Sequence, residues 1–192
     1  MVMERSECEF KAHGDFARSF EGVEMKIVFK ISRTLLHTVR NDLARQHPFA
    51  WERVGFLGGN PGVLGHNEVV ILAQSYHPVD DVDYVRADSV GAMMGSTAIR
   101  KALQIAYSNR MSMFHVHVHE HFGRPSFSHV DLQESAVFMP DFWHVCPSHP
   151  HGVLVLSKDS ASGLCWYPGI RHPLLIEEIV VVGAPMEVIS RA

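Results

Sequence analysis

Phe114-His115-Val116-His117-Val118-His119-Glu120-His121 is the stretch from which the rest of the chain can be read. Four histidines recur at every second position. In a β-strand, residues two apart share a face. Phe114, Val116 and Val118 then point the other way, into a core. The spacing predicts a half-buried strand with a ladder of imidazoles on one side. Such a ladder is poor core material, because each ring carries a polar group that needs a partner. It is good zinc material, since two His at i and i+2 can converge on one tetrahedral ion. Beyond the ladder, Gly123-Arg124-Pro125 reads as a turn, and Ser128-His129-Val130-Asp131 follows. Asp131 could supply a third ligand and leave a fourth position for water. Ser128-x-x-Asp131 also fits a helix capping box, and the two roles do not exclude one another.

Composition bounds the class. At 192 residues the chain is expected to form one domain with a substantial core. Its 46% apolar and 20% charged content is that of a soluble globular protein. A net charge of −4 argues against a nucleic-acid partner. Cys8, Cys146 and Cys165 are too scattered for a disulfide framework or a Cys-x-x-Cys zinc site, so a cytoplasmic location is expected. No apolar run approaches the roughly 18 residues of a membrane span, and residues 1–20 lack the apolar centre of a signal peptide.

Outward from the ladder, period-two patterns predict strands over 24–31, 49–57, 68–76 and 174–182. Residues 153–156 and 163–167 read as a hairpin. Helices are expected from Arg33, with Ser32 as N-cap, to about Gln46; from about Gly95 to Ser108; and from Asp131 to Phe138, ending before Pro140. Gly58 to Gly62 is a turn by composition. Residues 78–88 read as an acidic loop, and Phe122, Phe127 and Trp143 as packing residues. This order of elements predicts an α/β domain with a mixed sheet and helices packed on it.

Trp51-Glu52-Arg53-Val54-Gly55-Phe56-Leu57-Gly58-Gly59 places a carboxylate on a predicted strand beside glycines. A zinc hydrolase needs a base that takes a proton from water and returns it to the leaving amine, and an unligated Glu does this well. Glu52-x-x-Gly55-x-Leu57-x-Gly59, then His-x-His, then Ser128-x-x-Asp131, resembles the JAMM/MPN zinc metalloprotease signature in both content and order. The resemblance covers roughly residues 24–160. The run from His115 to Pro125, with Pro140-Asp141-Phe142 and Pro150-His151-Gly152, is similar to the prokaryotic, BilC-type deconjugases of bacterial ubiquitin-like antiphage operons.

The resemblance implies a single JAMM/MPN-type domain over residues 24–192, cytidine-deaminase-like, with residues 1–23 as an N-terminal extension. It implies Glu52 as general base and Ser128 as the hydroxyl that steadies the oxyanion. It implies zinc held by Asp131 and two ladder histidines. No ladder His is followed by Pro, and neither register reproduces the family's usual spacing to the Asp. His117 with His119 is the preferred pair, and His121 is the alternative to His117.

The implied reaction is hydrolysis after the C-terminal tail of a ubiquitin-like protein, from a conjugate or a precursor. E1- and E2-like operon proteins are possible further partners; no nucleic acid or membrane is expected. The alternatives are a catalytically silent MPN-type interaction module and a processing peptidase for a sulfur-carrier protein. Asp80, Asp81 and Asp83 are candidates for holding a basic tail. Cys146 could pair with His144 or His149 as a nucleophile, but a structural role fits it better.

Overall fold

The computed structural model describes residues 25–64, 67–86 and 91–191. The expected extension over 1–23, with Cys8, therefore lies outside the described residues. The described chain runs β1 (Lys26–Ser32), α1 (Arg33–Leu43), β2 (Val54–Leu64), β3 (Glu68–Pro78), a 3₁₀ turn (Asp81–Asp83) and α2 (Ser96–Asn109). It continues with β4 (Ser112–Val118), α3 (His129–Val145), β5 (His151–Leu156), β6 (Ala161–Trp166), β7 (Leu174–Val182) and β8 (Glu187–Arg191). None of these helices is long and apolar enough to cross a membrane.

The expected architecture is corrected by one pairing. β1 lies parallel to β3 on one side and parallel to β7 on the other. Seven strands thus close in the order β1-β3-β2-β4-β5-β6-β7 into a mixed barrel, and β8 extends from β7. This is not the α/β, cytidine-deaminase-like sheet flanked by helices that the JAMM/MPN resemblance implied. Alternation tells which face of a strand is buried, but not which strand each edge meets. Closure removes the two free edges that an open sheet would leave.

Two clusters share the burial. The inner one gathers Ile27, Phe29, Ile71, Phe114, Val116 and Ile176, and α1 adds Leu36, Val39 and Leu43. Phe29 and Phe114 meet edge to face with centroids 5.0 Å apart. α1 starts where expected, because Ser32 Oγ accepts the Leu35 N–H at 3.2 Å. The outer cluster packs α2 through Ala98, Ala102 and Ala106, and α3 through Phe138, Met139 and Phe142, against the outward residues of β2, β4 and β5. β4 divides between the two as the alternation predicts: Phe114 and Val116 turn inward, Met113 outward.

Three local expectations change. Gly58 to Gly62 is not a turn but part of β2, which bulges at Gly58/Gly59. A Cβ at Gly59 would sit 2.6 Å from the Leu72 carbonyl oxygen, so the glycine serves close backbone approach. α3 runs through Pro140 to Val145. Pro140 and Ala136 are both exposed, so the carbonyl that loses its N–H partner faces solvent, while Phe142 beyond the proline stays fully buried. β8 has no strong alternation and was not anticipated.

Candidate metal centre

The histidine strand β4 pairs antiparallel with β2, setting Val54 opposite His117. Glu52 is not itself in a strand, as had been expected; β2 begins two residues later. Its segment is held from four sides instead. The Trp51 and Glu52 N–H groups both donate to the Gly91 carbonyl, at 2.8 and 3.3 Å. The Arg53 side chain is buried, donates to the Arg45 and Gln46 carbonyls at 2.9 Å each, and pairs with Asp81 at 2.6 Å. The Val54 N–H donates to Tyr84 Oη at 2.8 Å.

α3 supplies the acid. Ser128 is its N-cap, and the capping box is complete: Ser128 Oγ accepts the Asp131 N–H at 3.1 Å, and Asp131 Oδ2 accepts the Ser128 N–H at 2.7 Å. This clamp turns Asp131 toward β4. Asp131 Oδ1 lies 3.5 Å from His117 Nε2, and Oδ2 lies 3.8 Å from His119 Nε2. His117 Nε2 and His119 Nε2 are 3.2 Å apart. His119 lies just past the end of β4, held by its N–H to the Leu156 carbonyl at 2.8 Å.

His117, His119 and Asp131 form a group whose ligand atoms all lie within 4.8 Å of one another and could hold a metal ion. The donor geometry fits such an ion. Nitrogen and oxygen ligands about 2.0–2.1 Å from a tetrahedral centre stand roughly 3.3–3.4 Å from each other. Two neutral imidazoles facing through Nε2 can share at most one proton, whereas a cation satisfies both lone pairs. His121 stays outside this group: it is exposed, its ring centroid is 6.1 Å from that of His119, and its Nδ1 lies 2.9 Å from the Phe122 carbonyl oxygen.

The electrostatics suit both ligation and proton transfer. Burial pushes the Glu52 pKa above the usual carboxylate range; His117 opposes the shift and the Asp131 charge adds to it. Burial would also raise Asp131, yet the hydrogen bond and charge of His117 and the Ser128 N–H hold it well below its ordinary value. Burial, with His117 next, lowers His119 and so favours the neutral form that binds metal. His115 is pushed down to about 3 by burial.

Glu52, His117 and Asp131 line one cavity together with His115, Val54 and Phe138. His115, in this lining, and Gly91, beside Glu52, were not singled out by sequence reasoning. His115 was counted only as a ladder member, yet its Nε2 is sealed from solvent without a partner among the described residues. Gly91 stands far from every motif, and a Cβ there would lie 2.0 Å from Glu52 Oε1. Only the folded chain shows that the Glu52 carboxylate occupies the space of a missing side chain.

Other expected features resolve differently. Asp81 is paired with Arg53, and Asp80 and Asp83 both bind Lys101, at 2.7 and 2.5 Å. Each of these three acids has a partner within the chain; Asp88 lies outside the described residues. Phe122 is exposed under Lys158 Nζ, 5.5 Å from its ring centroid, whereas Phe127 and Trp143 do pack on the outer cluster. Cys146 Sγ lies 3.3 Å from His149 Nδ1, but burial pushes its thiol pKa up, away from a nucleophilic thiolate.

No protein-family model matches the chain, and no curated protein matches it. Among solved structures it is similar to the STIL N-terminal domain of Trichoplax adhaerens, at 11% identity and a TM-score of 0.34. That alignment covers 76% of this chain and 45% of the other, so the chain spans less than half of that structure. A likeness this faint carries no argument about fold or function.

Proposed function

We propose that the chain is a zinc-dependent amide hydrolase with JAMM-type site chemistry carried on a closed barrel. The observation that supports it most is the convergence of Glu52, His117 and Asp131 on one cavity, with His119 completing a three-donor group. A change of fold does not count against a site, since the same chemistry recurs on unrelated scaffolds. The donor set of two imidazoles and one carboxylate suits zinc. Bound there, zinc would act as a Lewis acid and lower the pKa of water.

The chain's own residues do the rest. Glu52, with its raised pKa, accepts a proton from the attacking water and delivers it to the departing amine. The Ser128 hydroxyl already accepts the Asp131 N–H, so its own proton remains available for the oxygen of the scissile carbonyl. Asp131 and the two histidines hold fixed positions through the capping box and the β4–β5 pairing. The substrate class comes from the motif resemblance: a peptide or isopeptide bond after the C-terminal tail of a ubiquitin-like protein, in a bacterial conjugation system.

The test uses the purified chain, stripped with chelator and reloaded with zinc, against conjugates and precursors of bacterial ubiquitin-like proteins. Glu52→Gln should lower turnover about 10²- to 10⁴-fold while binding one zinc as the parent does. His119→Ala should lose zinc itself. Full cleavage by Glu52→Gln would remove the hydrolase assignment. Zinc-loaded parent protein that cuts nothing would point to an interaction module instead.

A further inference from the structure

Glu52 stands on a short irregular segment, because the ladder of β2 begins only at Val54. The Gly91 carbonyl holds that segment through the Trp51 and Glu52 N–H groups. The next residue holds it from another direction. Arg53 is 2% exposed and is no part of the cavity lining that Glu52 shares with His117 and Asp131. Its guanidinium turns to the end of α1 and to the 3₁₀ turn instead. Nε donates to the Arg45 carbonyl and Nη2 to the Gln46 carbonyl, both at 2.9 Å, and Nη1 donates to Asp81 Oδ1 at 2.6 Å.

Both supports are themselves fixed. At the end of α1, Asp42 accepts Arg45 Nε at 2.8 Å and Tyr76 Oη at 2.7 Å, which ties the helix to β3. Tyr76 fills the space that a side chain at Gly55 would take, since a Cβ there would lie 2.5 Å from its ring. On the other side, Asp80 and Asp83 pair with Lys101 of α2, and the Gly95 N–H donates to the Asp83 carbonyl at 2.8 Å. Asp81 therefore projects from an anchored turn.

A buried guanidinium is costly to desolvate, and a hydrocarbon side chain of similar length would fill the same space without that cost. Hydrocarbon cannot grip three acceptors at fixed angles, which the planar fork of arginine does. The grip fixes the chain one residue from the carboxylate. We propose that Arg53, braced by Asp81, is a positioning residue for Glu52 and sets where its carboxylate lies against the metal group. That this carboxylate moves a proton rests on the hydrolase reading; where it lies does not. A misplacement of about 1 Å can cost on the order of 10²-fold in rate, so a support away from the reacting atoms can govern kcat.

The test uses the full chain with Arg53→Met, Asp81→Ala and Asp81→Asn, each beside the parent. Arg53→Met keeps much of the side-chain length and removes its donors. Asp81→Ala, on the half-exposed side of the pair, serves should Arg53→Met fail to fold. Crystal structures of the metal-free proteins give a readout that needs no activity. With the barrels superposed, both truncations should move the Glu52 carboxylate about 1 Å or more from its place beside Gly91. In the zinc-loaded chain kcat should fall about 10- to 100-fold, with KM and zinc affinity close to the parent values. Asp81→Asn keeps an acceptor oxygen for Nη1, and should restore most of kcat and the parent position of Glu52. Glu52 unmoved in the truncations overturns the clamp, and so does zinc affinity that falls as far as kcat. A parent chain that cuts nothing would overturn the hydrolase reading, and the displacement of Glu52 alone would then decide the clamp.

Discussion

The two faces of β4 differ in what they do with buried atoms. Inward, Phe114 and Val116 are fully buried among hydrocarbon and have no polar atom to satisfy. Outward, His115 and His117 sit under α3, and His115 Nε2 and His117 Nδ1 are buried without partners among the described residues. Unpaired buried polar atoms weaken a fold. They persist here beside a carboxylate whose pKa is raised by burial and another whose pKa is lowered. One strand therefore separates two kinds of surface: the barrel interior supplies stability, and the exterior face carries buried polar atoms that weaken it and, in the reading proposed above, serve the site.

The sharpest way to break this comparison is a pair of truncations three positions apart on opposite faces of β4. Phe114→Ala should cost about 3–5 kcal/mol, read by urea denaturation of the metal-free chain. His117→Ala should cost about 1 kcal/mol or less there, because it removes an unsatisfied nitrogen along with the packing, yet it should abolish zinc uptake measured by titration. Equal destabilisation by the two would show that the outer face is ordinary core.

A second variant sharpens the reading of the outer face. Gly91→Ala places a methyl where the Glu52 carboxylate lies. Turnover should fall roughly 10- to 100-fold through kcat, with KM and zinc stoichiometry close to the parent values. A loss confined to thermal stability, with kcat intact, would make Gly91 a structural glycine only. The smallest effect belongs to the junction between the site and the helix that carries it. Ser128→Ala removes the hydroxyl half of the capping box but keeps the backbone N–H that binds Asp131. It should lower stability by about 1 kcal/mol and leave zinc affinity within a few-fold, while kcat drops with the lost donor. Zinc affinity that collapses in this variant would mean that the hydroxyl, not the backbone, orients Asp131.

Reading the chain alone carried furthest where a local rule was enough. The alternation in β4 assigned Phe114 and the histidines to opposite faces. Ser32 and Ser128 marked helix starts, because capping involves atoms only three residues apart. The hairpin at 153–166 and the strand at 174–182 were legible for the same reason. The group His117, His119 and Asp131 was legible as a possible metal site because alternate strand positions share a face and an acid opens the helix after the following turn. The choice between His117 and His121 was not legible, since all four ladder histidines obey the same period.

Tertiary structure alone decided the rest. Closure depends on the β1–β7 pairing, which joins residues some 150 positions apart, and no local pattern encodes an edge's partner. α3 continues past Pro140 because burying Phe142 outweighs one lost hydrogen bond, a balance that propensity cannot weigh. Asp80, Asp81 and Asp83 look free along the chain and are paired only once Arg53 and Lys101 are brought to them. The space at Gly91 that Glu52 fills, the unpaired nitrogen of His115 and the cavity between barrel and helices are properties of packing. The amino-acid sequence determined which groups could react and which faces they share; the fold determined which of them meet, how dry the meeting place is, and how much room is left for a substrate, because those depend on contacts between residues far apart in the chain.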